Sequence, residues 1–200
     1  MHTNPRAGLT FSSALRSILR QDPDIIMIGE IRDGETAEIA VQAAITGHLV
    51  VSTLHTNSSA ASITRLINMG LEPYLVADSV VGILAQRLVR RLCPRCKKER
   101  LATPEEVTEL GLKPGVKINI YDKCGCPYCN DTGYNGRIAV YEIMDVGQEI
   151  KEMIVENAST SKIKEVAVRN GMHTLHRSAS ELVVRGITTM AEMRKVSSET

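Results

Sequence analysis

Apolar residues recur at helical spacing over 9–20, where Phe11, Leu15, Ile18 and Leu19 share one face and Thr10 or Ser12 is available as an N-cap. Pro23 disfavours the helical conformation at Asp22 and ends that helix. The run Ile25, Ile26, Met27, Ile28 is apolar without alternation, the pattern of a parallel strand covered on both faces. Gly29 and Glu30 follow at its C-terminal end. Asp33 is placed to cap a helix through Ala37, Ala40, Val41 and Ala44, which Gly47 closes as a left-handed residue. A second apolar run, HLVVSTL at 48–54, comes next. Strand, helix, strand at this spacing predicts a βαβ unit with parallel strands and a right-handed crossover. Further helices are predicted over 58–69, with Ile63, Leu66 and Ile67 inward and Gly70 as the stop, and over 73–91.

The pattern changes at Cys93. A short helix follows the segment CPRCKKER, with Thr103 as N-cap, Pro104 at the first helical position, Glu106 completing a capping box and Gly111 ending it. Gly- and Lys-rich connections lead to CGCPYCNDTGYNG, after which IAVYEIM reads as a strand. Amphipathic helices are predicted at about 148–157, 161–170 and 174–185, and Thr189 with Glu192 marks a last capped turn. The expected organisation is 1–92 as one α/β unit, 93–136 as a cysteine-bearing subdomain, and 137–200 as a return strand with a helical subdomain.

Composition narrows the class. The 200 residues are 43% apolar and 24% charged, which excludes disordered and collagen-like chains. The single Phe, five Tyr and absent Trp leave Ile, Leu, Val, Ala and Met to fill the core, which suits helices on a parallel sheet. A formal net charge of +1 gives no global attraction to nucleic acid or membrane. No apolar run approaches the ~18 residues needed to span a bilayer, and MHTNPRAGLT lacks a signal peptide's apolar stretch, so a cytoplasmic protein is expected.

Four of the five cysteines form two C-x-x-C pairs, Cys93 with Cys96 and Cys126 with Cys129. Two such pairs supply four thiolates for a closed tetrahedral site, the usual arrangement of structural zinc. A redox pair would sit at a helix start in a thioredoxin-like unit, and two pairs in one small region argue against it. Cys124 is read as a bystander, because using it in place of Cys126 abandons the C-x-x-C geometry. Four thiolates around a divalent ion carry about −2, which Arg87, Arg90, Arg91, Arg95, Lys97, Lys98 and Arg100 are placed to offset. The rival reading of that basic run is a nucleic-acid patch on a zinc ribbon. Against it, no aromatic interleaves the charges, and the insertion between the pairs exceeds a compact ribbon's 15–20 residues.

Glu30 stands at the carboxyl end of a predicted parallel strand, where ligands bind in open α/β sheets. Two readings stay open for it: a group that holds a magnesium-bound water or accepts a proton beside a triphosphate, and an ion-paired or capping carboxylate. Arg32 and Asp33 likewise read as a surface pair in which Asp33 caps the next helix. His48 and His55 are an odd number of residues apart, so on one continuous strand they face opposite sides and cannot be paired metal ligands. His55, with Thr53 and Thr56, ends the second strand level with Glu30, a place for a phosphate sensor. His48 reads as structural, with a subunit contact as its alternative.

Taken together, GLTFSSALRSILRQDPDIIMIGEIRD, ETAEIAVQAAITGHLVVSTLHTN, AQRLVRRLCPRC and GCPYCNDTGYNGR resemble the secretion ATPase family that powers type II secretion and type IV pilus assembly. The resemblance extends from about Pro5 to the last capped helix. It implies the C-terminal part of a RecA-like P-loop NTPase sheet, carrying a tetracysteine zinc subdomain and a C-terminal helical subdomain. By that resemblance IIMIGEIRD is the Walker B segment with Glu30 as its acidic, catalytic residue. TGHLVVSTLHTN is then the histidine box containing His48 and His55, and Arg32 and His55 report nucleotide state. Cys93, Cys96, Cys126 and Cys129 match the zinc-binding insertion of the assembly and secretion branch, which retraction motors generally lack.

The family's G-x-x-x-x-G-K-[ST] loop and the acidic segment supplying its catalytic base do not occur in this sequence. The expectation is therefore the C-terminal half of a motor, inactive and monomeric or weakly associated by itself. For the whole machine the resemblance implies ATP and Mg2+ as cofactors beside structural Zn2+, and a homo-hexamer at the cytoplasmic face of the inner membrane. It would act on a platform protein and other pilus or secretion components and bind no nucleic acid. The competing classes are a zinc-ribbon nucleic-acid module and an ATPase-derived scaffold without catalysis.

Overall fold

The structure, a computed structural model, describes residues 11–21 and 23–198. The expectations for Thr10 and Asp22, and for the Ser12 side chain, lie outside the described residues. In chain order the elements are α1 (Phe11–Leu19), β1 (Ile25–Ile28), α2 (Gly34–Ile45), β2 (Leu49–Ser52), α3 (Ser59–Asn68), α4 (Pro73–Ser79) and β3 (Gly82–Leu92). They continue with β4 (Lys98–Leu101), α5 (Pro104–Glu109), β5 (Asn119–Asp122), a 3-10 turn (Pro127–Cys129) and β6 (Tyr134–Asp145). The last four are α6 (Gln148–Val155), α7 (Thr160–Arg169), α8 (Leu175–Val184) and α9 (Met190–Ser198). The chain divides into two compact units, Met1–Ile83 with Met144–Asn170, and Leu84–Ile143 with Gly171–Thr200. The compositional change at Cys93 thus falls inside the second unit.

In the first unit β1 and β2 pair in parallel, Ile25 opposite Leu49 and Ile28 opposite Ser52, as the βαβ pattern requires. The crossover helix α2 begins where the Asp33 side chain accepts the Thr36 N–H at 2.8 Å and ends at Gly47 with φ +104°. Ile26 and Ile28 are buried, but Ile25 is 64% exposed and Met27 81% exposed. Leu49 and Val51, their register partners, are also exposed. The strand pair is therefore covered on one face, not on both as the unbroken apolar run implied. Ile63, Val76, Ile150, Ile154 and Ile163 from α3, α4, α6 and α7 are fully buried in the same unit.

The helix expected over 73–91 is corrected: α4 stops at Ser79 and 82–92 is strand β3, paired with β6. The residues responsible are Leu84 and Leu88, both more than half exposed. Inward positions alternate through Ile83, Ala85, Arg87 and Val89, and the outward leucines hide that period of two. Leu, Ala, Gln and Arg favour a helix locally, and long-range pairing with β6 overrides them. The core of the second unit joins Val89 of β3, Ile120 of β5 and Val140 of β6 with Leu175, Ala179, Val183 and Met193 of α8 and α9.

The predicted capping box of α5 is complete: Thr103 Oγ1 accepts the Glu106 N–H at 3.3 Å and Glu106 accepts the Thr103 N–H at 3.0 Å. At α9 only half of that motif forms. Thr189 Oγ1 accepts the Glu192 N–H, while the Glu192 carboxylate turns to Arg90. Among the described residues no helix is long and apolar enough to cross a membrane.

Candidate functional site

The four cysteines of the two pairs converge. Cys93 directly follows β3 and is fully buried, Cys96 follows in a turn, and Cys126 precedes and Cys129 ends the 3-10 turn before β6. Their sulfurs all lie within 4.8 Å of one another. A tetrahedral site with metal–sulfur bonds of about 2.3 Å has sulfur–sulfur edges of about 3.8 Å. The separations Cys93–Cys126, Cys96–Cys129 and Cys126–Cys129 are 3.9, 3.8 and 3.7 Å. These values fit tetrahedral coordination and are far beyond the ~2.05 Å of a disulfide. Cys124 is exposed and stands outside the cluster.

Backbone donors tune these sulfurs, a feature the residue types alone did not reveal. Gly133 donates its N–H to Cys129 Sγ at 3.2 Å. Burial raises the Cys129 thiol's pKa, but the N–H of Gly133 and the Cys126 contacts overcome it and hold it at about 7. Burial drives the Cys96 thiol the other way, up to about 12, with the Gly125 N–H only partly opposing. Gly133 takes φ +74°, and a Cβ there would strike Lys123, so the glycine four residues after Cys129 is the sequence signal for this donor. A thiol held near 12 gives up its proton at neutral pH when a cation replaces it.

The basic run is mostly committed elsewhere. Arg90 forks onto Glu192 at 2.8 and 3.1 Å. Arg100 binds Glu106 at 2.6 and 2.7 Å and Asp122 at 2.5 Å. Lys97 Nζ donates to Gly186 O at 2.8 Å and lies over Tyr121, while Arg95 stacks on Tyr128. Carboxylates, more than thiolates, therefore neutralise Arg90 and Arg100. The aromatics missing from the basic run come to it from β5, β6 and the 3-10 turn. Arg100 holds the Glu106 carboxyl down to about 2; Glu192 also sits at about 2, where burial opposes but Arg90 and Lys195 prevail.

In the first unit the ends of β1 and β2 bring Glu30 and His55 together. The Ile31 N–H donates to Thr53 O at 3.0 Å and Thr53 Oγ1 donates to Gly29 O at 2.7 Å, extending the strand pairing past both strands. That stitching sets His55 Nε2 at 2.9 Å from Glu30 Oε2, and Arg32 pairs with the other carboxylate oxygen. Bonding to Arg32 and then to His55 holds the Glu30 carboxyl below its usual range. Arg32 and His55 are largely exposed and Glu30 is partly so, which leaves the group open to a ligand. Asp33 turns away and caps α2. His48 joins no such group; its Nδ1 lies 3.0 Å from Ala43 O and 3.1 Å from Thr46 Oγ1 at the end of α2.

The fold has solved counterparts. A pilus retraction motor, PilT with bound ADP, superposes with TM-score 0.65 at 27% identity, covering 94% of this chain and 43% of that one. The ATPase DotB of Yersinia pseudotuberculosis gives 0.68 at 23% identity, covering 96% and 41%, a likeness of fold alone. In sequence, the type IV pilus assembly ATPase PilB of Myxococcus xanthus is 52% identical over 189 residues, 93% of this chain and 33% of that protein. Its namesake from Thermus thermophilus is 51% identical over 192 residues, 95% and 22%. The type II secretion system ATPase E of Vibrio cholerae is 45% identical over 196 residues, 98% and 39%. The chain thus spans about a fifth to two-fifths of the length of these relatives. The family profile for "Type II/IV secretion system protein" matches residues 1–195, and with these identities along nearly its whole length this chain belongs to that family.

Proposed function

We propose that this chain forms the Walker B and histidine-box part of a RecA-like, hexameric ATPase that drives type IV pilus assembly or type II protein secretion. The observation that carries the reading is the Glu30–His55 pair at 2.9 Å, at the carboxyl ends of two parallel strands. Glu30 would position magnesium and water, and Arg32 and His55 would sense the nucleotide. Both oxygens of Glu30 are engaged, one by Arg32 and one by His55, so Glu30 would share or give up one of these contacts when it holds a divalent cation. A contact given up in this way would free Arg32 or His55 for the nucleotide.

No G-x-x-x-x-G-K-[ST] occurs in the 200 residues. In this reading the phosphate cradle and the catalytic base come from residues outside them, and these 200 alone do not turn over ATP. The exposed row of Ile25, Met27, Leu49 and Val51 is the face on which the rest of the ATPase core would close. Cys93, Cys96, Cys126 and Cys129 hold a structural Zn2+, which ties the end of β3 to the start of β6 and takes no part in hydrolysis. The assembled protein would work at the inner membrane through a platform protein.

The test is magnesium-dependent ATP hydrolysis by this chain alone and mixed with a relative's N-terminal half bearing the phosphate loop, each with and without Glu30→Gln. Turnover only in the mixture, abolished by Glu30→Gln, supports the proposal. Turnover by the chain alone, or a mixture indifferent to Glu30→Gln, refutes it.

A further inference from the structure

The second unit carries a cleft of about 420 Å3 lined from the end of β3, the turn after it, the start of β6 and the residues that follow α8. Its charged lining is Arg91, Lys97 and Arg185, and no carboxylate lines it. Leu92 and Ile187 line it and are joined by the Leu92 N–H to Ile187 O bond at 2.8 Å; Asn135 lines it too. That volume lies in the ~300–1,000 Å3 range of small-ligand pockets.

Part of the basic charge of this unit is neutralised by nearby carboxylates. In this unit Arg90, Arg100 and Arg194 are each taken up by carboxylates, Glu192, Glu106 with Asp122, and Glu109. Arg91 and Arg185 have no such partner among the described residues, although both line one cleft. Lys97 is fixed at its wall, its ammonium held by Gly186 O and stacked over Tyr121. Gly186 takes φ +64° and a Cβ there would strike Tyr121, so the backbone that seats Lys97 beside Arg185 accepts only glycine without rearrangement. Three cations held around one concavity repel one another, and a ligand bearing two adjacent negative groups removes that cost. Arg binds phosphate oxygens in bidentate fashion and Lys binds them as a point charge, so two arginines and a lysine lining one cleft suit phosphate. No aromatic ring lines the cleft to stack on a base.

We propose that this cleft is a binding site for a diphosphate or other phosphate-bearing anion, separate from the Glu30 site and from any metal on the four cysteines. Arg91 and Arg185 clasp the two phosphate groups, and Lys97 neutralises the bridge between them. The ligand is either a small phosphorylated molecule or the headgroup of an anionic lipid, and the two sources are separable.

The experiment is calorimetric titration of the 200-residue chain with inorganic pyrophosphate at about 50 mM salt, beside sedimentation with phosphatidylcholine vesicles containing phosphatidylglycerol. Arg91→Gln, Arg185→Gln and the double variant are compared with Lys113→Gln, which removes one positive charge outside the cleft. Metal content and circular dichroism verify that each variant is folded. The expected result is one pyrophosphate per chain, weakened at least about tenfold by either arginine change, as loss of a charge-assisted hydrogen bond implies, and unchanged by Lys113→Gln. Vesicle binding without pyrophosphate binding, lost in the same arginine variants, supports the site and assigns the lipid headgroup. Failure to bind either probe, or binding indifferent to Arg91 and Arg185 in folded variants, overturns the proposal.

Discussion

Loss of the metal proposed for the four cysteines is the perturbation whose size the structure sets most directly. The two cysteine pairs lie at residues 93 and 96, where β3 ends, and at 126 and 129, before β6 begins. Between them run β4, α5 and β5, so a metal on the four sulfurs closes a long loop at its neck. The entropy that such a cross-link removes from the unfolded chain is worth about 4 kcal/mol for a loop from 93 to 129. Coordination adds to this, because the thiolates are gathered only in the folded state. At about 2–4 °C per kcal/mol for a chain of this size, Cys93→Ser or a strong chelator lowers the melting temperature by about 8–16 °C. Metal per chain is measured by plasma mass spectrometry on freshly purified protein, and melting is followed by circular dichroism with and without chelator. The expected result is about one zinc per chain, absent in Cys93→Ser and retained in Cys124→Ser, whose side chain is outside the cluster. A folded protein with no metal, or a melting temperature that moves by less than about 2 °C in chelator, refutes the reasoning.

Glu192→Ala leaves the Arg90 N–H, now bonded to Glu192 Oε2 at 3.0 Å, without its acceptor; the loss is about 2–3 kcal/mol in urea unfolding, below the full buried-pair value because the Arg90 side chain is half-exposed. The Glu192 and Glu106 carboxyls are lowered from 4.5 to about 2, so their stabilisation is complete above about pH 4.5 and is lost as pH falls through about 2. The stability gap between the protein and its Glu192→Gln variant should therefore shrink over that window, and a gap constant from pH 5 to 2 contradicts the assignment. Gly34→Ala puts a Cβ against the backbone carbonyl oxygen of Met69 and should cost about 1–3 kcal/mol; an unchanged urea midpoint contradicts that packing. Arg32→Ala removes the largest influence holding the Glu30 carboxyl low, so its pKa, read by carbon NMR, should rise.

Local rules read correctly wherever the decisive partner is near in sequence. Asp33 capping α2, the reciprocal Thr103–Glu106 pair and the left-handed Gly47 are each settled within a few residues, and all three were legible from residue type and spacing. The two C-x-x-C pairs announced a common site because two such pairs close together have the ligand spacing of a four-thiolate metal site. Glu30 and His55 were placed level by the parallel strands expected to carry them, and their contact follows from that register.

What the tertiary structure decided depends on partners far along the chain. Residues 82–92 are strand because β6 offers them a ladder, although their own side chains favour a helix. Ile25 and Met27 are exposed because, among the described residues, elements pack on one face of the strand pair only. Glu192 reads as a capping residue until Arg90, remote in sequence, takes its carboxylate, and the basic run acquires aromatic neighbours only when Tyr121, Tyr128 and Tyr134 fold back to it. Sequence determined the chemistry at hand, the four thiolates, the acidic strand end and the histidine after the second strand. Folding decided which charges cancel, which remain around a shared cleft and which face of the strand pair is left open, because those outcomes are set by distances between segments that no local pattern encodes.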